Sequence, residues 1–94
     1  MTALTAPIIL VIDDDETSRK SVTRLLEREG YRVAAAQDGR EGLKLAGALQ
    51  PDLILTDLVM PGVDGYELCR RLRAHDELSD VPIIIFTSTD DKDG

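Results

Sequence analysis

Four short apolar runs recur along the chain, and each has the length of a β-strand. They are mostly aliphatic or β-branched and occupy residues 8–12, 33–36, 53–56 and 83–86. Because these runs show no polar alternation, they are typical of strands that are buried on both faces. The three segments between them carry apolar residues three and four positions apart, which predicts one amphipathic helix per segment. The helical apolar positions are Val22, Leu25 and Leu26, then Gly42, Leu45, Ala46 and Leu49, then Gly65, Leu68, Cys69 and Leu72.

Polar and helix-breaking residues mark the ends of the predicted helices. Asp38 and Asp64 each precede a glutamate by three residues, a capping-box variant that begins a helix. Gly30 is expected to end the first helix in a left-handed conformation, and Pro51 is expected to close the second. The alternation of strands and helices favours an α/β fold whose parallel sheet is joined by right-handed crossovers.

Polar side chains follow three of the predicted strands. Asp13 and Asp14 follow the first strand, Asp57 the third and Thr87 the fourth. Ligands bind beyond the carboxyl ends of strands in open parallel sheets, so these residues are expected to converge there. Two carboxylates about 4 Å apart repel by roughly 4 kcal/mol at an effective dielectric of 20, and a helix-dipole preference of about 0.3 to 1 kcal/mol does not offset this. A cation site is therefore predicted, whereas the next two acids are interpreted as solvated residues of the first helical turn.

Length and composition limit the class of protein. At 94 residues the chain has room for one domain, expected over residues 7–94 after a flexible N-terminus of residues 1–6. The net charge of −7 argues against a nucleic-acid surface in this segment, because phosphate binding needs clustered Lys and Arg. No window reaches a membrane-spanning length, and the first residues lack the regions of a signal peptide, so a cytoplasmic location is expected.

One longer stretch makes the prediction specific. Residues 51–65 read PDLILTDLVMPGVDG, and they are accompanied by IILVIDDDE near the start and PIIIFTS near the end. Together these stretches resemble the receiver domain of two-component response regulators, in the order and spacing of that family, over residues 7–94. The resemblance implies a flavodoxin-like, doubly wound parallel sheet of order 2-1-3-4-5. Gly62 and Gly65 are expected to shape the turn after Asp57.

The resemblance also implies a role for each site residue. Asp57 matches the phosphoacceptor, and Asp13 and Asp14 match the acidic pair that binds Mg²⁺. Val59 matches the position whose backbone carbonyl also ligates the metal, and Thr87 matches the hydroxyl residue that contacts the phosphoryl group. A domain of this kind takes a phosphoryl group from a histidine kinase and switches an output domain or a partner protein. It is a signalling phosphoacceptor rather than an enzyme.

The chain departs from the family pattern after its fourth strand. Receiver domains normally continue into a fourth helix, a fifth strand and a fifth helix, and these elements are absent here. The family's lysine after strand 5 has no counterpart, since Lys92 lies in the loop after strand 4. Right-handed crossovers would leave one sheet face with a single helix and expose apolar residues of strand 4. The chain is therefore expected to be part of a longer protein, or to form a dimer or domain-swapped assembly through strand 4.

Two alternatives stay open from the sequence. The run IILVIDDDET also fits the opening motif of haloacid-dehalogenase-type phosphatases, in which Asp13 would be the nucleophile and Asp15 the acid/base. That alternative leaves residues 51–65 unexplained and offers no later acidic pair. The other alternative is a receiver-like fragment that binds partners without being phosphorylated, which the missing lysine favours.

Overall fold

A four-stranded parallel sheet forms the centre of residues 6–86, the part of the chain that the computed structural model describes. The strands are β1 (Ile8–Ile12), β2 (Arg32–Ala36), β3 (Leu53–Asp57) and β4 (Ile83–Phe86). The helices are α1 (Glu16–Arg28), α2 (Gly39–Leu49) and α3 (Gly65–Arg73), and a short 3-10 helix (Asp76–Leu78) precedes β4. The sheet order is β2-β1-β3-β4, with every pair parallel. The doubly wound α/β fold predicted from the sequence is confirmed.

Each of the three α-helices begins at an aspartate that satisfies a free backbone N–H. Asp38 and Asp64 accept the amide hydrogens of Glu41 and Glu67, as the sequence predicts. Asp15 does the same for α1, where its carboxylate accepts the Ser18 N–H at 2.8 Å. The interpretation of Asp15 as a merely solvated acid is therefore incomplete, because it is the N-cap of α1.

The ends of α1 and α2 use the left-handed region of the backbone. Gly30 follows α1 with φ at +97°, as predicted, and glycine adopts this conformation without steric cost. At the end of α2 the left-handed residue is Gln50, with φ at 49°, directly before Pro51. No helix among residues 6–86 is both long and apolar enough to cross a membrane.

The main core lies between the sheet and the helices α2 and α3. Leu10 and Ile12 point to this side, where a side chain added at Gly42 of α2 would meet Ile12 within 2.5 Å. Leu68 and Leu72 of α3 are completely buried against the same cluster. The two helices thus cover one face of the sheet, as right-handed crossovers require for this strand order.

Within residues 6–86, the opposite face of the sheet is covered by α1 alone. Val11, Leu55 and Ile84 are paired across three strands and therefore point to this face together. Val11, next to α1, has an exposed fraction of 0%, Leu55 is partly buried, and Ile84 is 51% exposed. Leu25 of α1, one of the apolar positions of the first predicted helix, is 55% exposed. We call the less covered part of this face, where Leu55 and Ile84 lie, the open apolar face.

Candidate metal centre

Three aspartates meet at the carboxyl edge of the sheet. Asp13 and Asp14 come directly after β1, and Asp57 is the last residue of β3. One carboxylate oxygen from each lies within 4.8 Å of the other two. Asp13 is 2% exposed and Asp57 is 6% exposed, whereas Asp14 is exposed to solvent. The convergence predicted from the strand ends is therefore confirmed for these three side chains.

Hydrogen bonds of the sheet continue past the strand ends and hold the backbone of this centre. The Asp13 N–H donates to the Ala36 carbonyl at 3.1 Å, which extends the β1–β2 ladder by one residue. On the other side, the Leu58 N–H donates to the Phe86 carbonyl at 2.8 Å and extends the β3–β4 ladder. The peptide units beside Asp13 and Asp57 are therefore fixed by the sheet rather than by flexible loops.

An arginine of α1 also contacts this centre, and the sequence did not predict it. Arg19 Nη1 donates to the backbone carbonyl of Asp13 at 2.8 Å. Within the same turn, the Asp15 N–H donates to Asp13 Oδ1 at 3.0 Å. The sequence shows a basic residue one turn into the helix that follows the acidic pair. Whether its side chain contacts Asp13 depends on how α1 lies against the sheet.

The start of α3 packs directly against the backbone of the phosphoacceptor candidate. A Cβ atom added at Gly65 would lie 2.7 Å from the Asp57 carbonyl oxygen and 3.0 Å from Leu58 Cα. The Gly65 N–H donates to the Leu58 carbonyl at 2.8 Å, which fixes this close approach. Glycine is therefore required here because any side chain would push α3 away from the end of β3.

The electrostatics of the cluster favour a cation. Burial raises the pKa of Asp13, and the nearby carboxylates of Asp57 and Asp14 raise it further, while the hydrogen bond from the Asp15 amide opposes both effects. A raised pKa means that ionisation of Asp13 costs free energy in the folded chain. Carboxylate oxygens are the ligands that Mg²⁺ prefers, and Mg²⁺ commonly keeps several waters. Two buried carboxylates and one exposed carboxylate fit such a partly hydrated ion.

The remaining predicted site residues have different outcomes. Val59 lies two residues after Asp57 with its side chain 73% exposed, and the role of its carbonyl as a metal ligand stays a prediction. Thr87 lies outside the described residues, and so does Lys92. Asp15 caps α1 and is not part of the three-carboxylate cluster, which instead joins Asp57 to the acidic pair. This grouping differs from the phosphatase alternative, which needs Asp15 at the reacting centre.

The fold and the acidic centre together define a class of protein. The strand order reverses between β1 and β3, and the cluster lies at the carboxyl ends of these two strands, where doubly wound sheets bind ligands. A cation held there can bind an anionic group such as a phosphoryl group. The class is therefore a flavodoxin-like domain with a three-carboxylate cluster at the edge of the sheet where such folds bind ligands.

Comparison with known proteins identifies the family. The family model described as the response regulator receiver domain matches residues 9–94, and the chain belongs to this family. Transcriptional regulatory protein AfsQ1 of Streptomyces coelicolor is 46% identical over 85 residues, which cover 90% of this chain and 36% of AfsQ1. Protein PilH of Pseudomonas aeruginosa is 40% identical over 82 residues, which cover 87% of this chain and 68% of PilH.

Solved structures support the same assignment. The chemotaxis protein CheY4 of Vibrio cholerae superposes with a TM-score of 0.87 at 31% identity, covering 93% of this chain and 72% of CheY4. The N-terminal domain of a response regulator receiver protein from Methanoculleus marisnigri gives a TM-score of 0.84 at 35% identity, with coverages of 88% and 68%. The family assignment replaces the haloacid-dehalogenase alternative. The chain spans about a third of the length of the first curated relatives that it matches.

Proposed function

We propose that Asp57 is the phosphoacceptor of this receiver domain and that Asp13 and Asp14 hold Mg²⁺ beside it. The observation that carries the proposal is the approach of the three carboxylates to within 4.8 Å of one another at the switch point of the sheet. Asp57 fits the nucleophile because the sheet hydrogen bond after it fixes its backbone. Asp13 and Asp14 fit metal ligands because they come from the neighbouring strand end.

The proposed reaction transfers a phosphoryl group from a histidine of the donor protein to Asp57. A carboxylate oxygen of Asp57 attacks the phosphorus of a phosphohistidine, the P–N bond breaks, and the histidine leaves with the electron pair and takes up a proton. Mg²⁺ supplies neutralisation of charge on the transferred group when it is bound. The carboxylate oxygens of Asp13 and Asp14 would hold the ion beside Asp57. The burial of Asp13 and Asp57 limits the access of water to the reacting carboxylate.

The proposal extends to two residues that the cluster does not contain. The Val59 carbonyl would complete the metal ligands from the chain, and the Thr87 hydroxyl would hydrogen-bond a phosphoryl oxygen. Both assignments rest on the family pattern around DLVMPG and IIIFTS. Through Thr87, the phosphoryl group would change the conformation of neighbouring loops and thereby the affinity for a partner.

The partners are proposed at the level of chemical class. A histidine kinase or a phosphotransfer protein would supply the phosphoryl group, and an output domain or a separate protein would respond to it. AfsQ1 is described as a transcriptional regulatory protein, and this chain matches only 36% of its length. Nucleic acid is not proposed as a partner of this segment, whose net charge is −7. The expected cytoplasmic location remains a prediction.

The experiment is phosphorylation of the purified chain by a small phosphodonor. The chain is incubated with acetyl phosphate, with and without Mg²⁺, and its intact mass is measured. We expect a gain of one phosphoryl group that requires Mg²⁺ and is lost in Asp57→Asn. Asp38→Asn is the matched control, since asparagine caps a helix as well as aspartate does and Asp38 is outside the cluster.

Two results would contradict the proposal. A folded chain that gains no phosphoryl group in the presence of Mg²⁺ would favour the alternative of a receiver-like interaction module that works without phosphorylation. A phosphoryl group that persists in Asp57→Asn would place the acceptor elsewhere. Circular dichroism of each variant establishes that the comparison is made between folded chains.

A further inference from the structure

We infer that Arg19 is a positioning residue of the metal centre, because its guanidinium fixes the turn that carries Asp13 and Asp14. The inference rests on the proposed function, since it concerns how the proposed Mg²⁺ ligands are held. Arg19 belongs to α1 and is separated from Asp13 by six residues, yet its Nη1 lies 2.8 Å from the Asp13 carbonyl oxygen. This hydrogen bond joins α1 to the peptide unit between Asp13 and Asp14.

The contact is made to the backbone, so it orients the carboxylates without competing for them. The Asp13 carbonyl accepts from Arg19, the Asp13 amide donates to Ala36, and the Asp13 carboxylate accepts from the Asp15 amide. Every polar group of Asp13 other than its second carboxylate oxygen is thus engaged. One carboxylate oxygen of Asp13 lies within 4.8 Å of a carboxylate oxygen of Asp14 and of Asp57. Loss of the Arg19 bond would free the peptide between Asp13 and Asp14 to rotate.

The charge of Arg19 and its hydrogen bond to Asp13 have opposite effects on Mg²⁺ binding. A guanidinium close to the centre repels a divalent cation, so removal of the charge alone would strengthen Mg²⁺ binding. Removal of the hydrogen bond would weaken Mg²⁺ binding, because groups that hydrogen-bond to metal-binding residues hold them in place. The sign of the change therefore separates a positioning role from a purely electrostatic role.

Arg24 provides a matched control for the loss of charge. It lies on the same helix and lines the same shallow groove as Arg19, beside Thr23 and Ala35. Among the described hydrogen bonds, none joins Arg24 to the turn of Asp13. Arg24→Met thus removes one positive charge from this side of α1 and leaves the contact to Asp13 intact.

The test is titration of the full chain with Mg²⁺ by isothermal calorimetry. For Arg19→Met we expect a dissociation constant for Mg²⁺ about 10-fold larger than for the unmodified chain, the lower end of the effect of losing a hydrogen-bond partner of a metal-binding residue. Arg19→Lys keeps a donor without the guanidinium geometry, so we expect its dissociation constant to lie between the two. Arg24→Met should bind Mg²⁺ as well as the unmodified chain does, or more tightly.

A second readout does not require the metal. Hydrogen exchange of the Asp15 amide, which is bonded to the Asp13 carboxylate, should become faster in Arg19→Met and remain unchanged in Arg24→Met. Arg19→Lys serves for both measurements if Arg19→Met does not fold. Unchanged or tighter Mg²⁺ binding by the Arg19 variants, or unchanged exchange, would overturn the inference while leaving the proposed function intact. Failure of the unmodified chain to bind Mg²⁺ would instead overturn the metal centre itself, and the exchange rates would still decide whether Arg19 holds the turn.

Discussion

At the scale of single residues, Asp13 carries the electrostatic cost of the proposed metal centre. Its carboxylate is almost completely buried and lies beside two further carboxylates. Burial and these neighbours raise its pKa, so the folded chain binds a proton there more readily than the unfolded chain does. The free energy of unfolding therefore decreases as the pH rises through the interval between the unfolded and folded pKa values.

This argument predicts that Asp13→Asn stabilises the metal-free chain at neutral pH. The gain in the free energy of unfolding should be roughly 0.5 to 2 kcal/mol, the range common for single stabilising substitutions, and it should shrink toward acid pH as Asp13 becomes protonated. Asparagine keeps the oxygen that accepts the Asp15 amide hydrogen. Urea unfolding over a pH series measures the difference, and Mg²⁺ should stabilise the unmodified chain more than the variant.

Glu16→Gln is the control with the opposite sign. The hydrogen bond and charge of Lys20 lower the pKa of Glu16, so its contribution to stability is present above the unfolded pKa and is lost as the pH falls. The substitution should slightly destabilise the chain at neutral pH and have no effect in acid. The pKa argument would be contradicted if Asp13→Asn and Glu16→Gln changed the free energy of unfolding in the same direction at neutral pH.

Residue-level prediction from the sequence succeeded where position along a strand decides the geometry. Asp13, Asp14 and Asp57 come together because parallel strands end at the same edge, and that edge follows from the order of elements alone. Arg19 was missed because its contact depends on the angle between α1 and the sheet, which no local pattern encodes. The cap formed by Asp15 was missed because a row of acids conceals which of them begins the helix.

At the scale of secondary-structure elements, the start of α3 is the most constrained point near the centre. Gly65 allows the first turn of α3 to approach the Asp57 carbonyl within the distance that a side chain would occupy. The helix cap at Asp64 and the bond from Gly65 to Leu58 set this turn from both sides. The sequence indicated a turn-forming glycine here, but the neighbour that excludes a side chain is visible only in the structure.

Gly65→Ala is therefore expected to destabilise the chain and to disturb the phosphoacceptor. The methyl group would overlap backbone atoms that cannot move aside, and such overpacking typically costs about 1 to 3 kcal/mol. Urea unfolding measures the loss, and the rate of phosphorylation by acetyl phosphate should fall in the same variant. Gly47→Ala in α2 is the control, since a Cβ atom there meets no other atom within 4 Å. Equal stability of Gly65→Ala and the unmodified chain would show that α3 can shift without cost.

The apolar positions of the predicted helices are buried or partly buried throughout α3, in α2 except at Leu49, and in α1 only at Val22 and Leu26. The helices α2 and α3 pack against the main core, where Leu68 and Leu72 are completely buried. In α1 no residue is fully buried, although the apolar spacing is equally regular. Periodicity indicates which side of a helix is apolar, but the amount of covering surface depends on the neighbouring elements.

At the scale of the whole molecule, the sheet is covered unequally on its two faces. Along one row of paired residues, burial falls from Val11 to Leu55 to Ile84 as the distance from α1 increases. Ile84 and Leu25 each expose more than half of their area, at 51% and 55%. The expected association through strand 4 has a physical basis in this open apolar face, because apolar surface gains about 25 cal/mol per Å² when it is removed from water.

We therefore predict that the isolated chain self-associates through the open apolar face. The mass measured by light scattering should rise with protein concentration over the micromolar to millimolar range, and Ile84→Ser should reduce this rise. Leu49→Ser is the control, since Leu49 is 39% exposed at the end of α2, which packs on the other face of the sheet. A monomer mass at every concentration, or an equal effect of the two substitutions, would contradict the prediction.

The hydrogen bond between Leu58 and Phe86 has a mechanical consequence. It ties the peptide that follows Asp57 to the last peptide of β4, at a distance of 2.8 Å between nitrogen and oxygen. A displacement of the acceptor backbone must either carry the end of β4 with it or break this bond. We therefore expect a movement of the backbone at Asp57 to be accompanied by a movement of the end of β4 at Phe86.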